Sequence, residues 1–148
     1  MTGGVMVSNA DRATVLVRAI EASVAGDSTV IGDMYTDDVQ AWSPAITVSS
    51  AAELAVEFED REDAFSDIEL DVSPLPVGGD QACVEWIATA THSGPLVVDD
   101  DAVIEATGRR ITLRGVTVAD FDGDRIRAFR QYWDEVGLLV ELELLPED

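Results

Sequence analysis

At 148 residues the chain has the length of one domain with room for a real core. Its 30 acids against nine bases, all nine of them arginine, give a formal net charge of −21, a surface that repels nucleic-acid phosphates and anionic membranes and so excludes both as partners. No run of 18 apolar residues is long enough to span a membrane, and the start, "MTGGVMVSNADR", lacks the basic and apolar regions of a signal peptide, so a cytoplasmic location is expected.

The lysine-free, acidic composition fits either a high-salt cytoplasm or a GC-rich genome, and in both cases it speaks to solubility, not activity. The lone Cys83 has no disulfide partner and no companion for a metal site, and a small buried core residue is the expectation.

Residues 1–8 read as a flexible tail ahead of a single domain. Ala13, Leu16, Val17, Ile20 and Val24 recur at helical spacing, with Ser8 or Asn9 as cap and Gly26 as stop. A shorter helix is predicted from Ser28 to Tyr35 with Asp27 as its cap, then a short strand in "DDVQAWSP". A third helix begins near Ser50, with Ala51, Leu54, Ala55, Phe58 and Phe65 as its apolar stripe. Its other side carries a run of acids, read as a solvated face.

From here the period changes to 2. Strands are predicted over 68–77, 81–92, 109–121 and 125–133, with a loop over 93–108 that has room for a short strand or helical turn, a hairpin turn at 122–124 and a last helix from Glu135 to Leu145. Helices first and a hairpin-connected antiparallel sheet second make an α+β pattern.

The order of elements resembles the nuclear transport factor 2-like fold, an α+β roll in which a curved antiparallel sheet wraps N-terminal helices into a cone. Within it, "VEWIATATHSGPL", "ATGRRITLRGVTVADFDGDRIRAFRQYWD" and "LLVELELLP" resemble the SnoaL-like polyketide cyclases, also called ester cyclases. The likeness is strong over residues 81–146 and weaker over 9–65. Val140, Glu141 and Glu143 depart from the Arg, Gln and Gly frequent in that family, and the first half carries no distinctive pocket motif.

Three residues are the catalytic candidates. Asp134 directly precedes the last helix, where an N-cap is worth about 1 kcal/mol. Gly137 at the third helical position rules out a capping box, and the aromatic neighbours would raise the carboxyl's pKa if they buried it. The resemblance implies that the acid of this "YWD" is a general acid/base, and the two roles can coexist. His92, the sole histidine, shares a strand face with Ala82, Val84, Trp86, Ala88 and Ala90, at the rim of what could be a pocket floor. Arg114 shares a face with Thr112, Val116 and Val118; it suits either an oxyanion or a salt bridge to Asp134. Trp42, Trp86 and Tyr132 are candidate pocket walls, though plain core is the first expectation for each.

The resemblance implies cofactor-free, metal-free cyclase or isomerase chemistry on a small hydrophobic carbonyl compound in an apolar pocket, and a homodimer formed through the outer sheet face. The rival reading is a non-catalytic small-molecule-binding protein of the same fold, and a third is an accessory protein with a filled cone. "DDD" at 99–101 does not make a preformed cation cage. The Asp-Arg-Asp relay of epoxide hydrolases is absent, because Val116 stands where its second acid would follow Arg114.

Overall fold

The computed structural model describes residues 9–44, 46–99 and 102–143. Helix α1 (Asn9–Ala25) buries Leu16, Ala19, Ile20 and Ala22. It stops at Gly26, whose φ of +72° lies in the left-handed region. There the Gly26 N–H donates to the Ser23 carbonyl and the Asp27 N–H to the Ala22 carbonyl, the paired bonds of a Schellman end. Asp27 then caps a 3-10 turn (Ser28–Val30) by accepting from the Thr29 N–H, as predicted, and α2 (Ile31–Met34) follows. Ser50 caps α3 (Ala51–Asp60) by accepting from the Glu53 N–H, and Leu54 and Phe58 are its buried residues. Phe65, expected on that stripe, does not belong to the helix: α3 has ended at Arg61 and Phe65 opens the next strand.

The main sheet contains β1 (Tyr35–Trp42), β2 (Thr47–Val48), β3 (Phe65–Leu75), β4 (Gln81–His92), β7 (Arg110–Asp122) and β8 (Arg125–Trp133), in the spatial order β2-β1-β8-β7-β4-β3. The predicted loop at 93–108 holds a separate hairpin, β5 (Leu96–Asp99) and β6 (Ala102–Ile104). β3 is an edge strand, which is why it tolerates Pro74. The sheet is mixed, not antiparallel throughout. β1 runs parallel to β8, since most of the chain separates the two and no hairpin turn imposes the opposite direction. The result is an α+β fold whose curved sheet does not close into a barrel.

Side-chain alternation on β4 holds as expected: Ala82, Val84, Trp86, Ala88, Ala90 and His92 are all buried on the helix-covered face. On β8 the alternation breaks once. Asp120 pairs with Ala128 but Phe121 pairs with Ile126, so Arg127 is an extra residue. This bulge lets Ile126 and Phe129 both face the core, where simple parity sets them on opposite sides. The core they join also holds Leu16, Leu54, Phe58, Val84, Trp86 and Phe121. A second cluster lies at one end, where Leu138 and Leu142, from the final helix α4 (Glu135–Glu141) and its end, pack on Ile111. The predicted continuation of α4 to Leu145, the tail at 1–8 and two of the three acids at 99–101 lie outside the described residues. Among the described residues no helix is long and apolar enough to cross a membrane.

Gly115 lies in the middle strand of three. It pairs with Trp86 on one side and Trp133 on the other. A Cβ there would overlap the Trp86 ring and lie 2.7 Å from the Tyr132 carbonyl oxygen. Gly115→Ala is therefore expected to destabilise the protein by roughly 1–3 kcal/mol. Urea unfolding checks this: the midpoint should fall with an unchanged m-value.

Candidate functional site

The inward side chains of β4, β7 and β8 meet at Thr117. Its Oγ1 accepts from Trp86 Nε1 and from Gln131 Nε2, each at 3.0 Å, in a buried setting. Gln131 and the neighbouring inward residues Phe129 and Trp133 form one wall of a small cavity. Leu54, Phe58 and Arg61 of α3 and its end face them, and Ser23, Ser43 and Ile46 close the rest. The cavity is about 40 Å³, well short of the roughly 300–1,000 Å³ of drug-sized ligand sites, so an occupant must move side chains or seat only part of itself.

Arg61 is the one ionisable residue among those lining this cavity. It is the C-cap of α3, where a cation also suits the helix dipole. The end of α1 holds it close: a Cβ on Gly26 would lie 2.7 Å from the Glu62 backbone nitrogen, so only glycine lets the two helix ends approach. The guanidinium carbon sits 5.5 Å from the centre of the Phe58 ring, and Nε donates to the Glu57 carbonyl at 3.3 Å. Burial pushes its pKa down, opposed by Glu57, Tyr35 and Asp60. Tyr35 packs against Phe58 and Phe129 with ring centres 6.4 and 5.9 Å away, and burial raises its phenol above the ordinary range, opposed by Arg61. A largely apolar cavity lined by a guanidinium, an amide and two serines can hold a polar head group or an oxyanion. Among the described residues no carboxylate or imidazole lines it.

The three sequence-predicted catalytic residues do not meet there. Asp134 is exposed and caps α4, its Oδ1 accepting from the Gly137 N–H at 2.8 Å. The register would set it opposite Arg114 had β8 run one residue further, but the strand ends at Trp133 and the chain turns into the helix. The expected Arg114–Asp134 salt bridge is accordingly not formed; the ion pairs among the described residues involve Arg109, Arg110, Arg127 and Arg130. Arg114 stands exposed on the open face of the sheet, in a shallow hollow of about 200 Å³ shared with Asp71, Ser73, Glu85 and Ile87. That hollow is larger than the inner cavity, but two acids, Asp71 and Glu85, line it beside Arg114, and only strand residues border it.

His92 is fully buried beside Phe65, with ring centres 5.9 Å apart. Its Nδ1 accepts from the Thr107 N–H at 3.3 Å and lies 3.0 Å from Thr107 Oγ1, which places the ring proton on Nε2. Nε2 has no hydrogen-bond partner among the described residues. Burial lowers the imidazole pKa, opposed by the backbone of Gly94 and Ile104. Of the three predicted walls, Trp86 belongs to the core, while Trp42 and Tyr132 meet at a tilt on the open face, ring centres 5.2 Å apart, 43% and 50% exposed. Neither is a wall of the inner cavity, because both have outward parity. Among the described residues no group of three His, Cys, Asp or Glu side chains is placed to hold a metal ion.

The family model of the SnoaL-like polyketide cyclases matches residues 13–142. The chain belongs to the SnoaL-like family. Solved structures agree on the fold. AclR of Streptomyces galilaeus, a candidate hydroxylase, is 25% identical with a TM-score of 0.75, over 95% of this chain and 86% of its own. A candidate SnoaL-like polyketide cyclase from Jannaschia sp. reaches a TM-score of 0.77 at 15% identity, over 93% of this chain and 94% of its own. An LEH-like epoxide hydrolase of M. tuberculosis gives 0.63 at 13%, over 91% of each chain. No curated protein sequence matches. A SnoaL-like chain has a small-molecule-processing role, which directs attention to the cavity inside the fold.

Reading the sequence missed Arg61, Ser43, Gln131 and Trp133 as cavity residues. Inward parity with Phe129 was a signal for Gln131 and Trp133. The one base within an acidic stretch was the signal for Arg61.

The buried, neutral His92 sets a pH dependence. Its folded pKa lies below the ordinary 6.5, so below pH 6.5 the unfolded chain takes up a proton that the fold refuses. The imidazole's part in stability is thus complete above 6.5 and declines as pH falls toward the folded value. Melting of wild type and His92→Gln at pH 7.5 and 5.0 should show the wild-type advantage shrinking at the lower pH. An equal gap at both pH values contradicts the assignment.

Proposed function

We propose that this SnoaL-like protein binds a small hydrophobic carbonyl compound through the inner cavity, with Arg61 and Gln131 holding its oxygen. The observation that carries the reading is the convergence of a guanidinium and an amide on a cavity walled by Leu54, Phe58, Phe129 and Trp133. Few, fixed polar groups in apolar surroundings orient a ligand in this way. With no acid or imidazole on those walls, binding is the better supported activity. Cyclase- or isomerase-type proton transfer is the second reading, favoured by the position of Asp134 immediately beyond the wall residue Trp133. There Arg61, rather than Arg114 or His92, would stabilise the enolate, and Asp134 would serve as base.

Acetophenone tests both readings, being small, apolar, carbonyl-bearing and enolisable. Titration should shift the Trp133 indole and Gln131 amide resonances; if neither moves, the cavity is not the binding site. In D2O, methyl-proton exchange catalysed by wild type and lost in Asp134→Asn establishes the acid/base reading. Binding without exchange leaves the protein a binder. Asn caps as well as Asp, so Asp134→Asn should stay within about 0.5 kcal/mol of wild-type stability and keep any binding.

We assign self-association to the open sheet face, where the Trp42–Tyr132 pair is exposed. Sedimentation should give a dimer for wild type and a monomer for the Trp42→Ser/Tyr132→Ser double variant. A monomeric wild type removes the assignment.

A further inference from the structure

Arg61 is unlike most arginines of this chain. Arg109, Arg110, Arg127 and Arg130 pair with Glu143, Glu69, Asp80 and Asp120, and Arg12 donates to the carbonyls of Gly79 and Gly123. Arg61 has none of these ion pairs, although acids outnumber bases 30 to 9. Its Nε is used by the Glu57 carbonyl, one face lies over Phe58, and it lines the cavity beside Gln131 and Ser43. Glu57 and Asp60 favour its charge through space. A partly buried guanidinium with no carboxylate in contact bears a desolvation cost that a ligand anion would offset, and its terminal nitrogens form a fork that matches two carboxylate oxygens.

We propose that the cavity selects an anionic ligand: a small hydrophobic carboxylic acid, or a compound that presents an equivalent delocalised oxyanion, seated with its charge on Arg61 and its apolar body against Trp133 and Phe129. The inference rests on the binding function proposed above and narrows its ligand class. A carboxylate fills the guanidinium fork at two points, whereas a neutral ketone meets it at one. Ser43 Oγ, which accepts from the Ile46 N–H at 3.2 Å, is held at the same cavity by that bond. The acidic surface opposes the approach of an anion over long range but is screened by salt, whereas a contact pair in a partly buried cavity is screened much less. Selectivity for the anion should therefore persist at high ionic strength, where binding driven only by surface charge would vanish.

Benzoate and benzamide provide a test, since they share shape and differ in charge. Both are titrated calorimetrically against the full chain in 0.5 M NaCl, with the Trp133 indole resonance reporting the site. Benzoate is expected to bind at least about tenfold more tightly than benzamide, as suits a charge-assisted, two-point contact. Arg61→Met should abolish that preference: benzamide loses one contact to its carbonyl oxygen, benzoate loses the charge-assisted pair, and the two affinities should converge at a weaker value. Arg61→Lys, which keeps the charge and loses the fork, should retain part of it, and it covers the case in which the Met variant does not fold. Equal affinities, or tighter benzamide binding, overturn the anion selectivity and leave the carbonyl-binding function standing. Failure of both probes, with an unmoved Trp133 resonance, overturns both proposals. Preference for benzoate retained in Arg61→Met places the anion elsewhere and sinks the assignment to Arg61.

Discussion

One hydroxyl organises the interior. Thr117 Oγ1 accepts two N–H donors, from Trp86 on β4 and from Gln131 on β8, and thereby links the inward faces of three strands. Buried donors without acceptors cost on the order of 1–3 kcal/mol each, so both side chains are held where Thr117 can reach them. The indole of Trp86 then lies over Gly115, the position where a side chain would collide with it. Gln131 donates one of its two Nε2 hydrogens to Thr117, which leaves a second donor, and the residue also lines the cavity. The cavity wall is thus a consequence of core packing, which keeps its polar groups oriented before any ligand arrives.

The bulge at Arg127 does comparable work for the apolar side. Without the extra residue, Ile126 and Phe129 would point to opposite faces. With it, both enter the core, and Phe129 becomes at once a core residue, a neighbour of Tyr35 and a cavity wall. The charge distribution follows the same division of faces. Paired or hydrogen-bonded arginines lie on the surface and across the open face of the sheet, while Arg61 alone reaches the inner cavity.

Much of the fold was legible because its signals are local. A Schellman end at Gly26, caps at Asp27 and Ser50, and strict alternation over residues 81–92 each follow from a few neighbouring residues. What was not legible is nonlocal. The parallel pairing of β1 with β8 joins distant parts of the chain, and the bulge appears only when two strands are placed side by side. The candidate site suffered most from this. Motif reading brought Asp134, His92 and Arg114 forward because they are chemically reactive types within the stretch that resembles the SnoaL-like cyclases. Whether they share a space depends on which face each takes and where β8 stops. Arg61 was hidden for the converse reason: its neighbours in sequence are solvated acids, and only the packing around the end of α3 makes it a partly buried residue lining the cavity.

The seam at Tyr132-Trp133-Asp134 shows how one residue can matter to a pocket without lining it. Asp134 ends the strand at Trp133 and starts α4 by accepting the Gly137 N–H, and Gly137 leaves no Cβ to collide with the carboxylate. α4 can then place Leu138 and Leu142 over Ile111, with Trp133 packed against the same cluster. Trp133 is the residue common to that cluster, the main core and the cavity. The direction of the helix that the cap sets therefore bears on the indole that walls the cavity. A carboxylate with one oxygen committed to an amide and the residue open to water is well suited to this positioning task. It would have only its second oxygen to offer a substrate, in competition with solvent. The acid at this seam shapes the pocket whether or not it also moves a proton.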